Sequence, residues 1–150
     1  MITQMIQVKF KKISDDVKMP IKGSNYAACF DVYAHDITSN ANNKIIVGLG
    51  FKTEIPVGYK GIIVPRSNLT KFDWVLNNSF GVIDADYRGE WKAVFTSLRG
   101  TVMDNQFPYG VGERVAQIYF EPVTLVDIVQ VHELEESERG EGGFGSTGLK

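Results

Sequence analysis

Nowhere in this chain does a window of eleven or more residues sustain apolar positions at i, i+3, i+4 and i+7 between helix caps. Apolar residues come in short runs instead. Residues 6–10 and 51–55 alternate, and 44–47 form a brief branched stretch. Residues 61–64 and 115–120 are continuously apolar, 91–98 are aromatic and branched, and 126–131 alternate again. Turn formers separate them: Pro56 with Gly58, Asn77 with Asn78, Arg88 with Gly89, Pro108 with Gly110, then Gly112. This pattern predicts an all-β chain with at most a short helix near 68–73. Many short strands at this spacing suggest a sandwich or barrel of jelly-roll type.

With 150 residues the chain is most simply one domain, long enough to bury roughly 70% of its unfolded surface. No internal repeat or interdomain linker interrupts it, and the acidic run 133–138 reads as a solvated hinge after the last strand. A net charge of −2 gives no electrostatic case for a nucleic-acid backbone as main partner. Cys29 is the only cysteine, so neither an intrachain disulfide nor a cysteine-based metal cluster is available. The first residues lack the basic and apolar regions of a signal peptide, and no apolar stretch approaches a membrane span. The expectation is a soluble, intracellular, cytoplasmic protein.

Three groups of residues carry chemistry. The end of the chain, Arg139-Gly-Glu-Gly-Gly-Phe144-Gly145-Ser146-Thr147-Gly148, sets five glycines around one aromatic ring. Glycines turn backbone N–H groups toward an anion, arginine offers a charged fork, and hydroxyls add donors. Gly/Ser-rich ends are also common linkers. The tail matches G-x-G-x-x-G, but no helix can follow it before Lys150, and no lysine stands where a P-loop needs one.

The second group runs from Asn78 to Glu90. Val82 and Ile83 lead into Asp84-Ala-Asp86-Tyr87, and an Arg-Gly turn leads back into an apolar strand. The expectation is a β-hairpin with two carboxylates on one face near its bend and Tyr87 across from them. Aspartates serving local turn hydrogen bonds fit this segment as well as a general base or metal-shell carboxylate beside an aromatic floor.

The third group is scattered. Arg66, Ser67 and Asn68 follow a buried run, which suits either an anion at a helix start or a plain N-cap. Arg114 and Gln117 flank another strand, where a surface ion pair is the simpler reading. Asp31 sits among small and apolar residues and needs a partner, since burying it alone is costly: a turn donor or a hydrated metal ion. His35 and His132 have no companions at ligand spacing.

Taken in order, these segments resemble the five motifs of the homotrimeric dUTPase family, from about Ala27 to Gly148. The stretches beginning at Gly81 and at Arg139 are close to the family patterns. The resemblance implies a jelly-roll-like subunit of residues 1–138, a mobile arm of residues 139–150, and a homotrimer with active sites at subunit junctions. It implies Mg²⁺-assisted hydrolysis of dUTP to dUMP and pyrophosphate. Asp84 then orients and deprotonates the attacking water and meets the 3′-hydroxyl, while Tyr87 floors the deoxyribose. Asn78, with the backbone around Gly81 and Val82, reads uracil. Asp31 is an outer-shell partner of Mg²⁺ through water. Arg66, Ser67, Asn68, Arg114 and Gln117 hold phosphates. Phe144 stacks on uracil, and Arg139, Gly145, Ser146 and Thr147 close over the γ-phosphate.

The motifs depart from the family pattern at Cys29, usually glycine, and at Asn68, usually serine or glycine. Trp91 is bulky enough to pack at a trimer interface. Three rivals remain at this point: a dCTP deaminase of the same fold, a catalytically silent regulatory member, and a β-barrel that stacks single-stranded bases.

Overall fold

The computed structural model describes residues 5–40, 44–100 and 106–143. Eleven strands carry nearly all of its regular structure: β1 (Lys9–Lys12), β2 (Ile21–Lys22), β3 (Phe30–Tyr33), β4 (Asp36–Ser39), β5 (Lys44–Gly48), β6 (Phe51–Glu54), β7 (Tyr59–Pro65), β8 (Trp74–Leu76), β9 (Gly81–Ile83), β10 (Lys92–Ser97) and β11 (Arg114–Pro122). The short helix near 68–73 is a single 3₁₀ segment, Ser67–Lys71. All pairings are antiparallel: a five-stranded sheet in the order β2-β3-β11-β7-β9, a four-stranded sheet β4-β5-β10-β8, and a ribbon β1-β6. The architecture is the expected all-β, distorted jelly roll.

Alternation decides which side chains go inside. In β10, Ala93, Phe95 and Ser97 are buried while the residues between them are not. Val32, Val47, Ile63, Phe95 and Ile118, drawn from both large sheets, join one apolar cluster. Packing two such faces removes most of the water-exposed apolar area from both at once.

Three expectations need correcting. Residues 81–83 and 92–97 do not form a hairpin: β9 pairs with β7 in the five-stranded sheet, whereas β10 pairs with β5 and β8 in the other. The segment between them is a crossing from sheet to sheet. Residues 126–131, whose alternation predicts a strand, pair with none among the described residues, and their apolar side chains stand in solvent. Trp91 is core rather than surface. Its indole Nε1 donates to the hydroxyl of Thr53 at 3.0 Å in a buried pair, and its ring lies over Gly61 so closely that a Cβ there would strike it.

Replacing Trp91 by Phe is therefore expected to cost about 1–3 kcal/mol, because the buried Thr53 hydroxyl loses its donor. A urea midpoint unchanged from wild type would refute the assigned bond.

Candidate active site

Sheet register brings Asp31 to its partners. β11 lies between β3 and β7, with Gln117 opposite Asp31 on one side and Val64 on the other. Arg66 emerges just past β7, where Pro65 faces Ala116, and a register shift in the β3–β11 pairing between Arg114 and Ala116 marks the start of β11. Asp31 is 5% exposed, yet it is well satisfied. Its Oδ1 accepts from Arg66 Nε at 2.9 Å and Gln117 Nε2 at 3.3 Å, and its Oδ2 accepts from Arg114 Nη1 at 3.2 Å. The partner that the buried aspartate requires is thus two guanidinium groups and an amide. The surface ion pair expected for Arg114 joins the same cluster.

Above this clasp opens a cleft of about 370 Å³, bordered by Arg66, Asn68, Arg114, Tyr33 and Tyr109 among others. Tyr109 donates its hydroxyl to Asn68 Oδ1 at 3.1 Å, and burial pushes its phenol up from the ordinary tyrosine range. It therefore remains a donor. Neither Ser67 nor Asn68 caps the 3₁₀ helix; Arg66 occupies the N-cap position without a side-chain cap bond. Ser67 is exposed, and its carbonyl accepts from Thr70 Oγ1 at 2.7 Å. The anion reading rests on the two arginines and not on a helix end.

A second pocket, about 290 Å³, is bordered by Val82, Asp84, Tyr87, Glu90, Trp91 and Lys92 among others. Asp84 opens a tight turn in which Tyr87 N–H donates to the Asp84 carbonyl at 3.2 Å. That turn, not an alternating strand, sets the directions of Asp84 and Asp86, and both are exposed. Tyr87 is 45% exposed and donates its hydroxyl to the Glu90 carbonyl at 3.3 Å. The ring lies directly over Gly89, where any Cβ would collide with it. Glycine at 89 is thus a steric requirement of the tyrosine's pose.

Arg88 ties the turn to the body. Its Nη1 donates to the carbonyls of Ala85 at 2.7 Å, Tyr87 at 3.2 Å and Thr53 at 3.3 Å. Asn78 is equally committed: Nδ2 donates to the Lys92 carbonyl at 3.0 Å, and Oδ1 accepts from Val94 N–H at 3.2 Å. Its side chain pins residues 78–81 to β10. Gly81 begins β9, an edge strand, so one row of β9 backbone groups faces no strand.

In one chain the arginine cleft and the Asp84 pocket share no bordering residue. Arg139 donates from Nε to the Gly142 carbonyl at 2.8 Å, within its own segment. Phe144, Gly145, Ser146 and Thr147 lie outside the described residues. Sequence reasoning missed Tyr109 and Glu90. Pro108-Tyr109-Gly110 reads as a turn, and only the fold shows its tyrosine facing the cleft. Glu90, whose Oε1 accepts from Gly50 N–H at 2.9 Å, carries no sequence signal beyond its place after Gly89.

The jelly-roll fold is that of dUTPase structures. The dUTPase of Staphylococcus bacteriophage 80alpha with dUPNHPP superposes with a TM-score of 0.80 at 26% identity, covering 97% of this chain and 100% of that one. The dUTPase family model matches residues 15–148. The deoxyuridine 5′-triphosphate nucleotidohydrolase of fowlpox virus is 40% identical over 150 residues, spanning 97% of this chain and all of the relative. The enzyme of that name from Hydrogenobaculum is 36% identical over 143 residues, 93% of this chain and 96% of its own. The chain belongs to the dUTPase family.

Proposed function

We propose that this protein hydrolyses dUTP to dUMP and pyrophosphate, acting on the intracellular nucleotide pool to keep uracil out of DNA and to supply dUMP for thymidylate synthesis. The observation that carries the reading is the buried Asp31 clasped by Arg66, Arg114 and Gln117 beneath a cleft, together with a separate pocket holding Asp84 above Tyr87. Arginine forks suit phosphate oxygens. A carboxylate on a rigid turn suits a water that must be aimed and deprotonated.

In the reaction, Asp84 accepts a proton from water as the water oxygen bonds to the α-phosphorus. The bond from that phosphorus to the α,β-bridging oxygen breaks, and pyrophosphate departs with its electron pair. Arg66 and Arg114 stabilise the charge on the phosphates, with Gln117, Ser67 and Asn68 completing the cradle. Tyr87 closes the floor against a 2′-hydroxyl. With Asn78 fixed on β10, the edge backbone of Gly81 and Val82 offers uracil its donors and acceptors. A cytosine there leaves those groups unpaired.

The residues fit Mg²⁺ as a triphosphate-borne ion. No group of three or more metal-ligating side chains occurs among the described residues, and Asp31 uses three of its roughly four lone-pair directions. The remaining direction, on Oδ2, would be open to a water carried by the ion. Bound there, Mg²⁺ supplies charge neutralisation of the triphosphate.

The same arrangement supports a homotrimer with shared sites. One chain holds its two half-sites apart, and its segment 123–134 exposes Leu125 and Ile128, each at 92%, with no strand partner of its own. Residues 139–150 serve as the arm that closes the site, Phe144 stacking on uracil while Arg139, Gly145, Ser146 and Thr147 cover the γ-phosphate. Described hydrogen bonds of residues 139–143 stay within the segment or reach Ser137. Deleting 139–150 is therefore expected to leave a folded trimer with very little turnover. Loss of the trimer on gel filtration would contradict the arm assignment.

The deciding assay is pyrophosphate release with Mg²⁺ from dUTP, UTP, dCTP and dTTP. Turnover of dUTP alone is the expected result. Ammonia release from dCTP, or binding without turnover, would overturn it.

A further inference from the structure

The outer face of the β1-β6 ribbon has no role in the reaction, and its charge pattern is unusual. β1 and β6 pair Lys9 with Glu54 and Lys11 with Lys52. The first pair closes an ion pair at 2.7 Å. The second sets two lysines directly opposite each other, an arrangement that costs stability in an antiparallel pair. Neither Lys11 nor Lys52 has an ion-pair partner among the described residues. Together with Arg88 they border a groove of about 440 Å³ whose sole carboxylate, Glu54, is already engaged by Lys9. Arg88 is the same residue that holds the carbonyls of the Asp84 turn, so the groove lies behind the catalytic pocket.

The matching charge is in the chain itself. Glu133, Glu135, Glu136 and Glu138 are exposed and make no ion pair among the described residues. They follow the segment whose apolar side chains find no partner in their own chain. Ten residues lie between Pro122 and Glu133, eleven Cα–Cα steps that reach up to about 36 Å. We propose that the Lys11/Lys52 groove receives the acidic run 133–138 of a second copy, as an electrostatic latch that seats the departing segment before the arm closes. This rests on the shared-site assembly proposed above. Exposed ion pairs contribute little singly, so the latch acts through its clustered charge, which also steers the encounter.

Zero-length carbodiimide coupling of the full-length protein tests it, because amide bonds form only between a lysine and a carboxylate already in contact. Isotopically heavy and light chains are co-refolded so that mass spectrometry separates links between copies from links within one. The expected products join Lys11 or Lys52 of one copy to Glu133, Glu135 or Glu136 of another. They should fall several-fold in about 0.5 M salt, where the Debye length shrinks to roughly 4 Å. The K11E/K52E variant should lose them and show a raised KM for dUTP, and adding E135K/E136K should restore the KM. Links confined to one chain, links to lysines outside the groove, or K11E/K52E kinetics equal to wild type would each overturn the latch. Wild-type turnover of dUTP is scored separately, so a missing latch in an active enzyme is distinct from a wrong reaction.

Discussion

The Asp84→Asn enzyme is expected to bind dUTP with ordinary affinity and to turn it over about 10²- to 10⁴-fold more slowly, the range a positioned general base supplies. Asparagine preserves the size of the side chain and cannot accept the proton. The fold should not notice the change. Asp84 is exposed, and what the turn uses is its backbone carbonyl, which receives Tyr87 N–H at 3.2 Å. Calorimetric binding of dUTP alongside pyrophosphate release separates the two effects. Nearly full turnover would remove Asp84 from the role of base. Lost binding with an unchanged melting curve would make it a binding group.

Asp31→Ala is expected to strike stability and activity together. Arg66 and Arg114 converge on this carboxylate with side chains 21% and 48% exposed. Removing one partner of a buried ionic cluster leaves uncompensated charge, at a cost of about 3–5 kcal/mol for a fully buried pair. Arg114 is half exposed and can regain water, so about 3 kcal/mol is the expected loss, read from urea unfolding. Freed arginines also lose their aim, and a drop in kcat/KM of roughly 10- to 100-fold should follow, as when a supporting partner is removed from a metal or phosphate site. An Asp31→Asn variant retains an acceptor for Arg66 but presents an amide donor to Arg114, so it should fall between the two. Wild-type stability in Asp31→Ala would mean that the clasp contributes nothing to folding.

What could be read without coordinates followed from local physics. Short apolar runs, alternating or continuous, located β1, β5, β6, β7, β10 and β11 but not β2, β3, β4 or β8, and the cost of burying Asp31 demanded a partner before any was known. The identity of that partner was not legible, because Arg66, Arg114 and Gln117 lie 35, 83 and 86 residues away. Only the placement of β11 between β3 and β7 selects them. The same blindness produced the false hairpin around Asp84: an apolar run, a turn and another run look alike whether the strands pair or part into different sheets. Trp91 shows it at the scale of one side chain, since nothing local distinguishes a tryptophan bound for an interface from one that fills the space above Gly61. Residues 126–131 show the converse. Their alternation predicts a strand, yet they pair with none among the described residues and all six are exposed.

The distances along the chain that separate Asp31 from its three partners also bear on how the molecule is made. Each contact closes a long loop, and such closures must be met by conformational entropy before they are rewarded. A sheet built from pairings this remote places the chain among the slow folders, in the range of milliseconds to seconds. The Arg66/Arg114 cleft cannot exist until β3, β7 and β11 have all found one another. A triphosphate would then select only finished molecules. By binding the native state alone, it would raise their resistance to unfolding in proportion to the logarithm of its concentration.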